Sequence, residues 1–348
     1  WFGGLRGGLA VGTTLISTLY AAMVGITTVS VATLGVTARS SMLKKGYDDG
    51  LTSGIIVAGS GLGVLIPPSI LMLIYASLAE VSPGKMFMAG ILPGIVMAVI
   101  LCLYCIGICY IKPNMGPAVP KDERYSWKEK FESLKGVILP IGIIAIVLVS
   151  IFAGIATPTE SAAFGCVGSL VAAAINRKLT WRNFVNMLRM TVGITVSIFW
   201  IIIGAAAYSQ IVTVTNIGQN LARWVVDMNL SAELILFVLF ILFFLVGLFL
   251  DLSSLMFVIL PIILPVLVQL DVDLIWFGIF FIMSCIIGNM SPPFGMPLFV
   301  LKSVAPDLNM GRLFNNVWVF IGVYVIGVIL ISVFPEIVLW LPNMMQKS

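Results

Sequence analysis

The chain has 348 residues, of which 60% are apolar and 10% charged, with a formal net charge of +4 and no histidine. Mean hydropathy is +1.13, whereas a soluble domain carries about 25% charged residues, so a water-facing globular surface is excluded. Without histidine, His-based zinc sites, His general bases and serine–histidine triads are excluded too.

Apolar runs recur along the whole chain, at 7–25, 29–43, 51–80, 87–111, 136–156, 158–176, 191–214, 231–247, 253–269, 274–305 and 313–341. Many are long enough to cross a hydrocarbon core of about 30 Å as a helix. Trp1 is not an initiator and the chain opens at the edge of an apolar run, so an N-terminal portion is expected to precede it. Cys102, Cys105 and Cys109 share one face of an apolar helix, and Cys166 and Cys285 lie in apolar runs. They read as small hydrophobes. The longest polar link, 112–135, contains Ser126 and Glu129 at capping-box spacing and is expected to hold a short surface helix. Thr157-Pro158-Thr159-Glu160 reads as a second capping box, with Pro at the first helical position.

Charge selects a topology. If 7–25 with 29–43, and 231–247 with 253–269, are re-entrant hairpins, the links 39–50, 112–135, 176–190 and 302–312 share one side with Arg6. That side then holds sixteen of the nineteen Lys and Arg, leaving only Lys85, Arg223 and Lys347 opposite. The positive-inside rule makes the basic side cytoplasmic.

The chain also resembles itself. Gly25-Ile26-Thr27-Thr28-Val29-Ser30 precedes Pro67-Pro68 by 42 residues, and Gly247 to Ser254 opens a stretch reaching Pro292-Pro293 after 45. At an offset of 225, Asp48 aligns with Asp273, Gly63 with Gly288 and Pro67-Pro68 with Pro292-Pro293. Gly84-Lys85-Met86-Phe87 likewise resembles Gly311-Arg312-Leu313-Phe314. By the charge count the two hairpins point in opposite directions. The expected fold is therefore an all-α polytopic membrane protein with inverted repeats, two re-entrant hairpins and two Pro-broken helices. Residues 1–111 form repeat 1 (hairpin about 7–43, broken helix about 51–80). Residues 112–190 form a cytoplasmic link with scaffold and arm helices. Residues 191–348 form repeat 2 (hairpin about 231–269, broken helix about 274–305).

Proline has no N–H and clashes with the preceding turn, so helices 51–80 and 274–305 must break. A single Pro-Gly break is often only a packing kink; two at repeat-equivalent positions point to a site. Broken backbone at membrane depth must line protein or a water-filled cavity. Its freed carbonyls suit a small cation, and the positive ends of the following half-helices suit an anion. One cation site is expected per repeat. The first uses backbone around Gly25, Gly63, Ile66 and Pro68. The second uses backbone around Gly247, Gly288 and Phe294 with the Ser291 hydroxyl. An anionic substrate is expected between the hairpin tips, with Thr27, Thr28, Ser30, Asp251, Ser253, Ser254 and Asn289 as candidates. Asp251 is equally readable as the N-cap of a helix beginning at Leu252. Asn289 suits an ion, a substrate or a helix–helix hydrogen bond. These features describe a cation-coupled anion transporter. An ion channel is the reading from another class; channels need a continuous pore, usually symmetric between subunits, and one chain with inverted hairpins suits alternating access better. An enzyme is not expected, since no nucleophile–base pair is evident. There is no nucleotide-binding loop and no feature calling for nucleic acid.

These residues resemble the large membrane subunit of tripartite ATP-independent periplasmic (TRAP) transporters. The matching stretches are Arg6-Gly7-Gly8-Leu9-Ala10, Gly46-Tyr47-Asp48, Leu62 to Ser69, Ala89 to Gly94, Ala156 to Ala163, Gly247 to Asp251 and Gly288 to Gly295. The resemblance implies an elevator-type importer in the bacterial inner membrane, driven by a sodium gradient. It implies an organic-acid substrate, such as a C4-dicarboxylate or sialic acid. It implies two partners, a periplasmic substrate-binding protein and a small four-helix membrane subunit. A sodium–dicarboxylate symporter without a binding protein is the alternative within the same class.

Overall fold

The structure, a computed structural model, describes residues 1–120 and 123–345; Lys121 of the longest basic link and Lys347 of the opposite side lie outside the described residues. Among the described residues there are fifteen α-helices and no strand. Six of them, α5 (Pro83–Ile111), α6 (Trp127–Phe152), α7 (Pro158–Ile175), α8 (Trp181–Val214), α11 (Leu252–Gln269) and α14 (Met310–Val333), are long and apolar enough to cross a membrane. α11 belongs to this set by length and composition, although the charge count assigns it to a re-entrant hairpin.

The first hairpin comprises α1 (Gly8–Val24) and α2 (Thr27–Lys44). Gly25 ends α1 with φ 69°, a left-handed conformation that glycine adopts without a side-chain penalty, and its N–H donates to Ala21 O at 2.7 Å. Asp48 then caps α3 (Asp49–Leu65) by accepting from Leu51 N at 2.9 Å. α3 stops just before Pro67-Pro68, and α4 (Ile70–Leu78) restarts at a 44° bend. At the positions expected for the second hairpin stand α10 (Ala232–Gly247) and α11, and the second broken helix is α12 (Leu274–Met290) followed by α13 (Met296–Val304). The first hairpin and both breaks thus appear where the sequence places them, whereas α11 passes from one compact unit into the other after Leu255. The Pro67-Pro68 and Pro292-Pro293 bonds are both cis.

Several expectations need correction. The Ser126–Glu129 capping box forms, with Ser126 N donating to Glu129 Oε2 at 2.7 Å, but it opens no separate surface helix. Nothing after it breaks the helix, so it starts α6 and runs on into the apolar segment. α8 begins at Trp181, capped by Thr180, which puts Arg182 and Arg189 on a helix rather than in a link. An unpredicted helix, α9 (Ile217–Asp227), follows α8. The last apolar run divides at Pro335 into α14 and α15 (Glu336–Met344), because proline removes the donor that would continue α14.

The described chain forms two compact units, with the divide falling inside α6 and inside α11. One unit comprises Trp1–Lys130, Ser231–Leu255 and Asp273–Ser348, so it gathers both hairpin tips and both broken helices. Its centre is α3, buried from Gly50 to Leu65. Tyr324 of α14, fully buried, donates its hydroxyl to Ala58 O of α3 at 2.8 Å. Tyr75 of α4 donates to Leu274 O at the start of α12 at 2.6 Å.

The other unit comprises Phe131–Leu230 and Met256–Val272. In it α6 and α7 pair through a buried Ser150 Oγ to Ser161 Oγ hydrogen bond at 2.8 Å. Thr157 and Glu160 form the expected capping box at the start of α7. α9 sets Gly218 against Pro265 and the Pro261 carbonyl of α11.

Candidate functional site

A helix carbonyl normally accepts from the N–H four residues on. Pro67 and Pro68 stand four residues after Gly63 and Val64, and Pro292 and Pro293 four after Gly288 and Asn289. Each break therefore deprives two carbonyls of their helical donors. At the first break Ile66 N still closes the helix on Leu62 O at 2.8 Å. At the second, Ser291 N turns back to Gly288 O at 3.0 Å and Gly295 N to Ser291 O at 3.0 Å, leaving Asn289 without a substitute among these turns.

The predicted cation-site residues assemble unequally. Gly63 is buried against the end of α1, where a Cβ would come within 2.2 Å of Ala21 Cβ, one turn before Gly25. Ile66 covers Gly94 of α5, and Pro68, two residues on, is half-buried. In the second repeat Gly247 and Gly288 touch through their backbones: a Cβ on Gly288 would lie 2.9 Å from Gly247 Cα and 3.0 Å from Phe244 O. Ser291, fully buried, donates its hydroxyl to Ile287 O at 2.6 Å, which leaves the oxygen's lone pairs able to accept or to ligate. Phe294 is exposed, and its ring rests 4.9 Å from that of Phe249 in the second hairpin tip.

A narrow crevice with room for little more than one water brings residues of both repeats together. Thr27 lines it from the first hairpin tip, Leu252 from the second, Val57 and Gly61 from α3, Ile286, Asn289 and Met290 from α12, and Pro297 from α13. Two of the predicted substrate residues, Thr27 and Asn289, therefore share one wall-to-wall space. Thr28 is half-buried next to Thr27. Ser30 is fully buried, and its hydroxyl, like those of Ser17 and Ser60, meets no hydrogen-bond partner among the described residues. Leaving such a group unpaired is costly, so these hydroxyls are suited to a polar ligand.

Asp251 is the N-cap of α11. Its Oδ2 accepts from Ser253 N at 3.0 Å and Ser254 N at 3.4 Å, and the Ser254 hydroxyl is hydrogen-bonded to its Oδ1. The Ser254 hydroxyl is thus engaged within the tip. Among the described residues no group of three or more His, Cys, Asp or Glu side chains gathers as a metal site. The polar groups that the breaks present are backbone and hydroxyl oxygens.

The charge count misses one element. It treats Arg39 as a loop charge, whereas α2 carries it to a buried position between Asp49 and Asp307. The guanidinium holds the Asp307 carboxyl, in the link after α13, below the ordinary carboxylate range. An arginine inside an apolar segment is the signal that could have exposed it.

Comparison with known proteins fits this geometry. The model of the family "Tripartite ATP-independent periplasmic transporter, DctM component" matches residues 1–337. The chain is 31% identical to the C4-dicarboxylate TRAP transporter large permease protein of Pseudomonas aeruginosa, covering 99% of this chain and 80% of that protein. It is 30% identical to the ectoine TRAP transporter large permease protein of Halomonas elongata, covering 99% and 79%. It is 29% identical to the sialic acid TRAP transporter large permease protein of Vibrio cholerae, covering 98% and 79%. Among solved structures, the YdaH transporter of Alcanivorax borkumensis has a similar fold, with a TM-score of 0.61 at 13% identity over 96% of this chain and 86% of that one. The chain belongs to the DctM-component family of tripartite ATP-independent periplasmic transporters, as a multi-pass large permease of the bacterial inner membrane.

Proposed function

We propose that this chain is the transmembrane subunit of a sodium-gradient-driven importer of an organic acid. The solute is of the C4-dicarboxylate or sialic-acid class, handed over by a periplasmic binding protein, and a small four-helix membrane subunit braces the permease. The observation that carries the reading is the cleft shared by Thr27 and Asn289, flanked by two breaks whose prolines strip donors from helix carbonyls. Hard carbonyl and hydroxyl oxygens suit Na⁺. The solutes named for the relatives, C4-dicarboxylates, sialic acid and ectoine, all bear a carboxylate. Gathering both hairpin tips and both broken helices in one compact unit supports movement of that unit as a body, an elevator.

The test is uptake by the complete permease with its small subunit in liposomes, with the binding protein outside. Radiolabelled succinate or sialic acid should accumulate under an inward NaCl gradient and not in choline chloride. Equal uptake in choline chloride would remove sodium from the reading. Undiminished uptake without the binding protein would make this a stand-alone symporter, and unitary currents in planar bilayers would make it a channel.

A further inference from the structure

Arg39 lies within α2, and only 7% of its side chain is exposed. Its Nε and Nη2 donate to the two carboxylate oxygens of Asp49 at 2.8 and 2.9 Å. Its Nη1 and Nη2 donate to those of Asp307 at 3.0 and 2.8 Å. Asp49 is the first residue of α3, and Asp307 follows α13. One guanidinium thus ties together the arm of the first hairpin, the start of the first broken helix and the end of the second.

Two further contacts fix the same junction. Lys302, in the last turn of α13, donates to Pro306 O and Leu308 O at 2.7 Å each, pinning the carbonyls on either side of Asp307. Gly35 precedes Arg39 by one turn and so shares its face of α2. A Cβ there would lie 2.6 Å from Leu301 and 2.9 Å from Val304 of α13. The α2 face that ends in the clasp is therefore seated on α13 at Gly35, one turn before Arg39.

We propose that Arg39 is a positioning residue for transport, whose clasp sets α13 against α2 and α3 so that the two walls of the cleft stay in register. It touches neither ion nor solute. The proposal rests on the ion-coupled reading above. Lysine cannot substitute, because a point-charge ammonium lacks the planar fork that grips two carboxylates at once.

Two readouts on the complete permease test it. The first is the NaCl concentration giving half of the sodium-induced rise in unfolding temperature, against choline chloride. It should increase roughly tenfold in Arg39→Lys, the order expected when a group supporting a metal site is lost. The second is the distance between spin labels at Ser40→Cys on α2 and Ser303→Cys on α13, in a Cys166→Ser background. One narrow population should broaden in Arg39→Lys and in Arg39→Ala, and narrow again in the exchange Arg39→Asp/Asp307→Arg. Lower unfolding temperature with an unmoved sodium midpoint and an unbroadened distance would reduce Arg39 to a structural residue and overturn the proposal. Indifference of the unaltered protein to NaCl would defeat the sodium reading instead. The distances then decide the clasp alone, and an unchanged distribution in both variants overturns it.

Discussion

The two Pro-Pro breaks use the same device and dispose of their serines in opposite ways. At the first, Ser69 stands after the prolines and caps α4, accepting from Met72 N at 3.5 Å. At the second, Ser291 stands before them and turns its hydroxyl back on Ile287 O. α13 then starts from Gly295 with no side-chain cap. The first break therefore closes its amide end and presents carbonyls alone. The second adds a hydroxyl oxygen at the carbonyl end and leaves the positive end of α13 without a capping side chain, next to the Pro297 wall of the cleft. The lesson is that a sequence repeat preserves the backbone event while the side chains around it specialise.

That contrast can be broken by substitution. The largest effect is expected from valine at Gly63 or Gly288, where a Cβ already meets α1 or α10 backbone. Uptake should fall to background in both. The two should separate with alanine. At Gly63 the new Cβ meets Ala21 atoms at 2.2–2.3 Å, against 2.9 Å from Gly247 for Gly288, so Gly63→Ala should lower the unfolding temperature more. Overpacking of this kind typically costs about 1–3 kcal/mol. Equal losses in a thermal scan would mean that the breaks are packed alike.

Next in size is the serine pair. Ser291→Ala should raise the half-saturating NaCl concentration for uptake by about tenfold, the range for a lost supporting ligand. Ser69→Ala should cost about 1 kcal/mol as a lost N-cap and leave that concentration alone. A sodium curve shifted by Ser69→Ala and not by Ser291→Ala would reverse the assignment. The smallest effect belongs to the cleft walls. Thr27→Val and Asn289→Leu should raise the KM for the solute several-fold, a missing hydrogen bond being worth about 1 kcal/mol, with sodium dependence kept. An altered sodium curve in Asn289→Leu would move Asn289 from solute to ion.

Much of this arrangement could be read from the residues. Pro67-Pro68 and Pro292-Pro293 speak for themselves, since two adjacent residues without an N–H withdraw two helix donors at once, whereas lone prolines such as Pro93 and Pro140 ride inside α5 and α6. Thr157 and Glu160 were equally readable, because a capping box is complete within four residues. Arg39 was not. Its place inside an apolar run hints that it is buried, but its partner Asp307 is 268 residues away in sequence, and no local pattern reports a pairing made by packing. α9 escaped because Gln219, Asn220 and Arg223 interrupt its apolar positions, which makes it an amphipathic surface-type helix rather than an apolar run. Asp251 was half readable: the sequence leaves its role open between cap and ligand, and its bonds to Ser253 and Ser254 make the cap real.

The carbonyls released at Gly63, Val64 and Asn289 belong to no side chain. Point mutation cannot delete them; only restoring an N–H four residues downstream would silence them. The crevice walls, by contrast, are ordinary side chains such as Thr27 and Asn289, each one codon change from another chemistry. A lineage built this way can change its diet while keeping its engine. Relatives about 30% identical to this chain that bear the names of C4-dicarboxylate, ectoine and sialic acid permeases are what such a division of labour would leave behind.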